Sequence, residues 1–106
     1  MASATLPRVN VIGLGKLGAP LAAVLASRGF QVIGLDSSGD SDLAELPLKA
    51  PLALVLGAEG KGLRQLTKET CDYVARLALP GAIQSLNVSN AAALSLYIAA
   101  TRLKSD

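Results

Sequence analysis

A small three-layer α/β domain with a mostly parallel, four-stranded sheet is the fold this sequence predicts. Three observations carry that expectation. Short apolar runs (Arg8–Leu14, Gln31–Leu35, Leu52–Leu56, Tyr73–Leu79) alternate with helical stretches, the order that crossover-connected parallel strands require. Leu52–Leu56 is apolar without a break, and Arg8–Leu14 and Gln31–Leu35 are mostly apolar and rich in β-branched residues, as in strands covered on both faces. Hydrophobic residues make up 51 % of the 106 residues and aromatic ones only 3 %, so the core is aliphatic. One domain, 1–106, is expected at this length.

The elements follow in order. Met1–Pro7 reads as a loose leader without a secretory pattern. Arg8–Leu14 is a strand that stops at glycine. A helix from about Lys16 to Arg28 follows, its buried face drawn from Leu17, Leu21, Val24 and Leu25, with Pro20 near the first turn. Gly29 is placed to end it. Gln31–Leu35 is the second strand, finishing at Asp36, so the first 36 residues hold a β-α-β unit. Ser37–Asp42 is turn-rich, and Leu43–Pro51, with two prolines and no clean period, reads as a loop with at most one helical turn. Leu52–Leu56 is the third strand. A second glycine-rich loop (Gly57–Gly62) leads to a helix with Leu63, Leu66, Thr67, Thr70, Cys71 and Val74 on one face. Tyr73–Leu79 is the fourth strand, Pro80-Gly81 a turn, and about Ser89–Leu103 a helix apolar nearly all round.

Composition excludes several chemistries. With no histidine, Ser-His-Asp catalysis and His-ligated zinc are ruled out, and no metal site is expected. The apolar runs fall short of the ~18–20 residues that span a bilayer. A net charge of +2 is too small to argue for nucleic acid, although seven of the ten lysines and arginines lie from Lys49 onward. A lone cysteine, Cys71, cannot form an internal disulfide and suits a reducing cytoplasm.

Two glycine motifs suggest ligands. In Gly13-x-Gly15-x-x-Gly18, the first glycine permits a tight turn, the second lets backbone approach a pyrophosphate and the third lets helix pack on strand. Asp36 stands where an acid accepts hydrogen bonds from a ribose diol. The run VNVIGLGKLGAPLAAVLASRGFQVIGLD, about a quarter of the chain, resembles the N-terminus of UDP-glucose/GDP-mannose dehydrogenases. That resemblance implies NAD binding by Gly13, Gly15, Gly18 and Asp36. The family's second nucleotide-binding half and its catalytic cysteine segment have no counterpart. NAD affinity is therefore expected at only roughly −4 to −6 kcal/mol.

The second motif is not a Walker loop, since Lys61 is followed by Gly62-Leu63. LALVLGAEGKGLRQLTKETCD and LPGAIQSLNVSNAAALSLY, with GLDSSGDSDLAELPL ahead of them, resemble the SpoU (TrmH-type) RNA ribose 2′-O-methyltransferases over about two-thirds of the chain. The resemblance implies an S-adenosylmethionine pocket from two loops, one with Gly57, Glu59 and Gly62, the other with Leu79, Ser85, Leu86, Asn87 and Ser89. It also implies a trefoil knot and a homodimer, with Leu94, Tyr97 and Ile98 on one side of the last helix. Leu77-Ala78-Leu79 replaces the usual Ile/Leu-Pro-Met. The family's upstream asparagine and catalytic arginine are absent, their place taken by the dinucleotide unit.

Both patterns superpose on residues 29–36. The expectation is thus an engineered chimera, a Rossmann-like half (8–36) joined to a SPOUT-like half (37–106). It would keep residual cofactor-binding loops, no catalytic residue and no turnover. S-adenosylmethionine or NAD would bind weakly, neither being needed for folding, and RNA binding is doubtful because the RNA-docking surface has gone. The alternatives are an S-adenosylmethionine-dependent RNA ribose 2′-O-methyltransferase and an NAD-binding oxidoreductase fragment.

Overall fold

The apolar runs do form strands, and all of them pair in parallel. A computed structural model describes residues 9–12, 18–57, 63–77 and 88–104, with side chains for all of these except 9–12, 18, 19, 88, 89 and 104. The strands are β1 (Val9–Ile12), β2 (Gln31–Leu35), β3 (Ser41–Asp42), β4 (Leu52–Leu56) and β5 (Tyr73–Arg76). The helices are α1 (Gly18–Ser27), α2 (Gln65–Thr70) and α3 (Val88–Lys104), with a 3-10 turn at Leu43–Glu45. Among the described residues the sheet order is β1-β4-β2-β5-β3. The four expected strands are present. The fifth, β3, is a two-residue edge strand with no apolar signal that could announce it.

The central strands β2 and β4 are buried along their whole length. Their side chains alternate between two faces, as the period of a strand demands. Ile33, Leu35, Leu52, Leu54 and Leu56 pack with Leu43, Leu46, Leu48 and Ala99, and α3 covers this face. Val32, Ala53 and Val55 face the other way, against Ala22 of α1 and Leu63, with Leu25, Phe30 and Val74 at the margin. The result is the expected three-layer α/β sandwich. Burial of each large aliphatic contributes about 1.5–3 kcal/mol.

Several helix details differ from expectation. In α1 the core-facing residue is Ala22, fully buried, whereas Leu21 and Val24 are about half exposed. The sequence GAPLAAVLAS is so uniformly apolar that periodicity cannot pick a face, and the small residue is the one that approaches the sheet. Helix α2 is shorter than predicted: Leu63 precedes it, and Leu66 is 66 % exposed. It stops at Thr70 because Asp72 is drawn into the sheet. The Asp72 amide donates to the Val32 carbonyl at 2.7 Å, and the Val32 amide donates to Asp72 Oδ2 at 2.7 Å. Strand β5 ends at Arg76 rather than Leu79; Leu79 lies outside the described residues. On α3, Ile98 packs against the core while Tyr97 is 70 % exposed, so the two expected on one side are divided.

Two side chains fasten connections that have no ladder of their own. Buried Gln31 donates from Nε2 to the Pro47 carbonyl at 3.0 Å and accepts from the Lys49 amide at 2.9 Å. Arg102 of α3 donates from Nη1 to the carbonyls of Leu43 and Leu46, satisfying the end of the 3-10 turn.

Candidate functional site

Because every strand runs the same way, all the carboxyl ends lie along one edge of the sheet, where open α/β sheets bind ligands. Leu35 is in register with Leu56 on one side and with Ala75 on the other. The strands β4 and β2 therefore end level with one another, and β5 runs one residue further, to Arg76. Asp36 and Gly57 each stand one residue beyond this line, and Leu77 follows β5 nearby in the chain. The two expected cofactor loops leave from Gly57 and Leu77, on either side of Asp36. Leu35, Leu56 and Ala75 below them are buried and apolar.

Asp36 is the best-defined polar group at this edge. Its amide donates to the Ala75 carbonyl at 2.9 Å, which holds it to β5. Oδ1 accepts from the Ser38 amide at 2.8 Å and the Ser38 hydroxyl at 2.6 Å. Oδ2 accepts from the Leu63 amide at 2.8 Å, with Lys68 Nζ 3.8 Å away. Burial raises the carboxyl pKa, but the bonds from Ser38 and Leu63, with the Lys68 charge, outweigh it and hold the group below its ordinary value. Both oxygens are thus engaged within the chain.

That geometry corrects the expected dinucleotide role. A carboxylate turned to Ser38 and Leu63 is not presented to a ribose diol. The strand order speaks against the role too. A dinucleotide-binding half places its first two strands side by side, whereas here β4 lies between β1 and β2. Gly18 opens α1, but the sheet context that would give the glycine spacing its dinucleotide meaning is missing among the described residues.

The remaining expected residues divide plainly. Gly57 is half-buried at the end of β4, Gly18 opens α1, and Ser89 lies in the first turn of α3. Gly13, Gly15, Glu59, Gly62, Leu79, Ser85, Leu86 and Asn87, with the expected knot, lie outside the described residues. Burial and the neighbouring Asp72 push the Cys71 thiol from 9.0 up to about 11, away from the thiolate that a nucleophile requires, and Sγ donates to the Thr67 carbonyl. Leu63, Gly34 and Ser38 were not anticipated around Asp36. Nothing local in the sequence links residue 36 to residue 63.

An edge built from backbone groups and apolar side chains, its carboxylate already paired, suits a neutral adenine and ribose better than a diphosphate. Comparison with known proteins identifies the family. The model of the SpoU rRNA Methylase family matches residues 1–97. A 23S rRNA (guanosine-2′-O-)-methyltransferase RlmB from Pseudomonas aeruginosa is 49 % identical over 73 residues, 69 % of this chain and 29 % of the relative. Its namesake from a Burkholderia species is 43 % identical over 96 residues, 91 % of this chain and 37 % of the relative. Among solved structures, the SpoU methyltransferase AviRb from Streptomyces viridochromogenes, in complex with AdoMet, superposes with a TM-score of 0.67 at 31 % identity. It covers 82 % of this chain and 34 % of that one. The A. aeolicus TrmH/SpoU tRNA modifying enzyme gives 0.63 at 34 % identity, over 76 % of this chain and 42 % of that one. The chain thus spans about a third of the length of the curated relatives it matches.

These findings overturn three expectations. A single family model runs across the supposed seam at residues 29–36, so nothing supports a chimera, an engineered origin or a dehydrogenase-derived half. The reading of a non-catalytic scaffold falls with it. The doubt about RNA is corrected as well, because the relatives are named as methyltransferases of ribosomal RNA. The misreading has a local cause: Gly-x-Gly-x-x-Gly between strand and helix is a packing solution that different parallel folds can share.

Proposed function

This chain belongs to the SpoU rRNA methylase family, and on that premise we propose that it forms the cofactor-binding part of an S-adenosylmethionine-dependent RNA ribose 2′-O-methyltransferase. The observation that carries the reading is the shared carboxyl edge, where β4 and β5 end at Leu56 and Arg76 on either side of Asp36. Gly57, Glu59 and Gly62 would serve one side of the adenosine, and Leu79, Ser85, Leu86, Asn87 and Ser89 the other. When bound, S-adenosylmethionine supplies an electrophilic methyl group to a ribose 2′-hydroxyl. The chain's part is to orient the adenosine with backbone groups over the apolar floor of Leu35, Leu56 and Ala75, which excludes water from that side. RNA is the proposed macromolecular partner. No residue of this chain is assigned as general base.

Calorimetric titration with S-adenosylhomocysteine, followed by labelled-methyl transfer to ribosomal RNA, tests this reading. Saturable heat with S-adenosylhomocysteine and none with NAD is the expected result. Absence of heat with S-adenosylhomocysteine would sink it.

A further inference from the structure

Arg76 closes β5 with its side chain exposed, and its guanidinium turns back to the connection that leaves β2. Nη1 donates to the Gly39 carbonyl at 3.1 Å. Two contacts fix Gly39 for this. Its amide donates to the Asp36 carbonyl at 2.9 Å, which closes a turn just past β2. Its backbone lies so close to β5 that an added Cβ would stand 2.5 Å from the Ala75 carbonyl carbon and 2.7 Å from its oxygen, so only glycine fits. The acid beside Arg76 in the ladder is Asp42. Its Oδ1 accepts from the Ala44 amide at 2.9 Å, and among the described residues no ion pair joins it to Arg76. An exposed guanidinium, anchored and not neutralised, thus stands at the carboxyl edge one residue beyond buried Ala75.

We propose that Arg76 holds a phosphate of the RNA strand next to the ribose that is methylated. The inference rests on the cofactor reading above, which puts the methyl group at this edge. A 2′-hydroxyl within a strand has one phosphate on the 3′ oxygen of its own ring and another on the 5′ side. Bringing that hydroxyl to the methyl group therefore brings two negative charges to the end of the sheet. Arginine suits such a charge, because its planar fork gives two parallel hydrogen bonds to phosphate oxygens. The Gly39 carbonyl engages one donor and leaves the others, and it already restricts the side chain, so less freedom is lost on binding. A phosphate contact carries no base information, so Arg76 sets register and affinity, not the choice of nucleotide.

The salt dependence of binding tests this on the 106-residue chain, with a fluorescein-labelled single-stranded RNA of mixed sequence read by anisotropy. Arg76→Gln should raise the dissociation constant about tenfold at low salt and flatten the slope of log K against log salt by about 0.7, the value for one phosphate on a single strand. Arg76→Lys keeps the charge and should keep the slope. Arg28→Gln removes the same charge at the opposite end of the sheet, where Arg28 is exposed ahead of β2, and should change neither. S-adenosylhomocysteine affinity should stay at the wild-type value in all three. Wild-type slope and affinity in Arg76→Gln, or no RNA binding by the wild-type chain, overturns the contact and leaves the cofactor reading standing. Lost S-adenosylhomocysteine affinity in Arg76→Gln, with RNA binding unchanged, assigns the arginine to the cofactor's carboxylate and overturns the contact too. No heat with S-adenosylhomocysteine from wild type overturns the cofactor reading and this proposal with it.

Discussion

Asp36 is charged at neutral pH and better solvated by the protein than by water, which has a consequence for acid stability. Its folded-state pKa lies below the ordinary 3.8. Its contribution is therefore complete above the unfolded value and is lost as pH falls through the folded one. Urea midpoints measured from pH 7 down to pH 3 should drop more steeply below pH ~4 for wild type than for Asp36→Asn; parallel curves would refute the assignment. Cys71 makes a second residue-scale prediction. A thiol pushed up to about 11 holds about a hundredth of the thiolate of an ordinary cysteine at pH 8, so iodoacetamide should label it about a hundredfold more slowly in native than in urea-unfolded protein. Asp36 was recognisable in the sequence as an important acid at a strand end. Its task was not, because its partner Leu63 lies 27 positions away and no local pattern encodes that distance.

At the scale of elements, the strands were legible and the helix faces less so. Uninterrupted aliphatic runs such as LALVL admit one reading, and β4 spans Leu52–Leu56 as expected. Alanine-rich α1 admits several, and packing chose Ala22 over Leu21 and Val24. Helix α3 was found nearly to the residue, yet what docks it against the 3-10 turn is a charged side chain, not its apolar surface alone. Arg102→Ala leaves the Leu43 and Leu46 carbonyls without this donor and should cost about 1–3 kcal/mol in urea unfolding. Arg102→Lys should restore only part, since an ammonium lacks the planar fork. Leu54→Ala, at a fully buried position in the middle of β4, should cost about 2–5 kcal/mol. Tyr97→Ala, on the open side of α3, should stay within about 0.5 kcal/mol of wild type.

Across the whole molecule, the layers and the parallel sense of the sheet were readable, and the strand order was not. Alternating elements specify parallel neighbours in general, but which strand lies between which depends on pairings far apart in the chain. Here those pairings join β1 through β5 in one sheet, so unfolding should be a single transition, with far-ultraviolet circular dichroism and hydrogen exchange of β1 and β5 giving the same midpoint; separate midpoints would contradict it. The place of β4 also governs how the chain reaches this state. The register joins Val9 to Leu52 and Gln31 to the same Leu52, so neither early strand has its central neighbour until that leucine has emerged. At a synthesis rate of ~5–20 residues per second, a nascent chain spends about one to three seconds with two sticky ribbons and nothing to zip them together. Strand four is the keystone, and the vulnerable moment in this protein's life comes before it arrives.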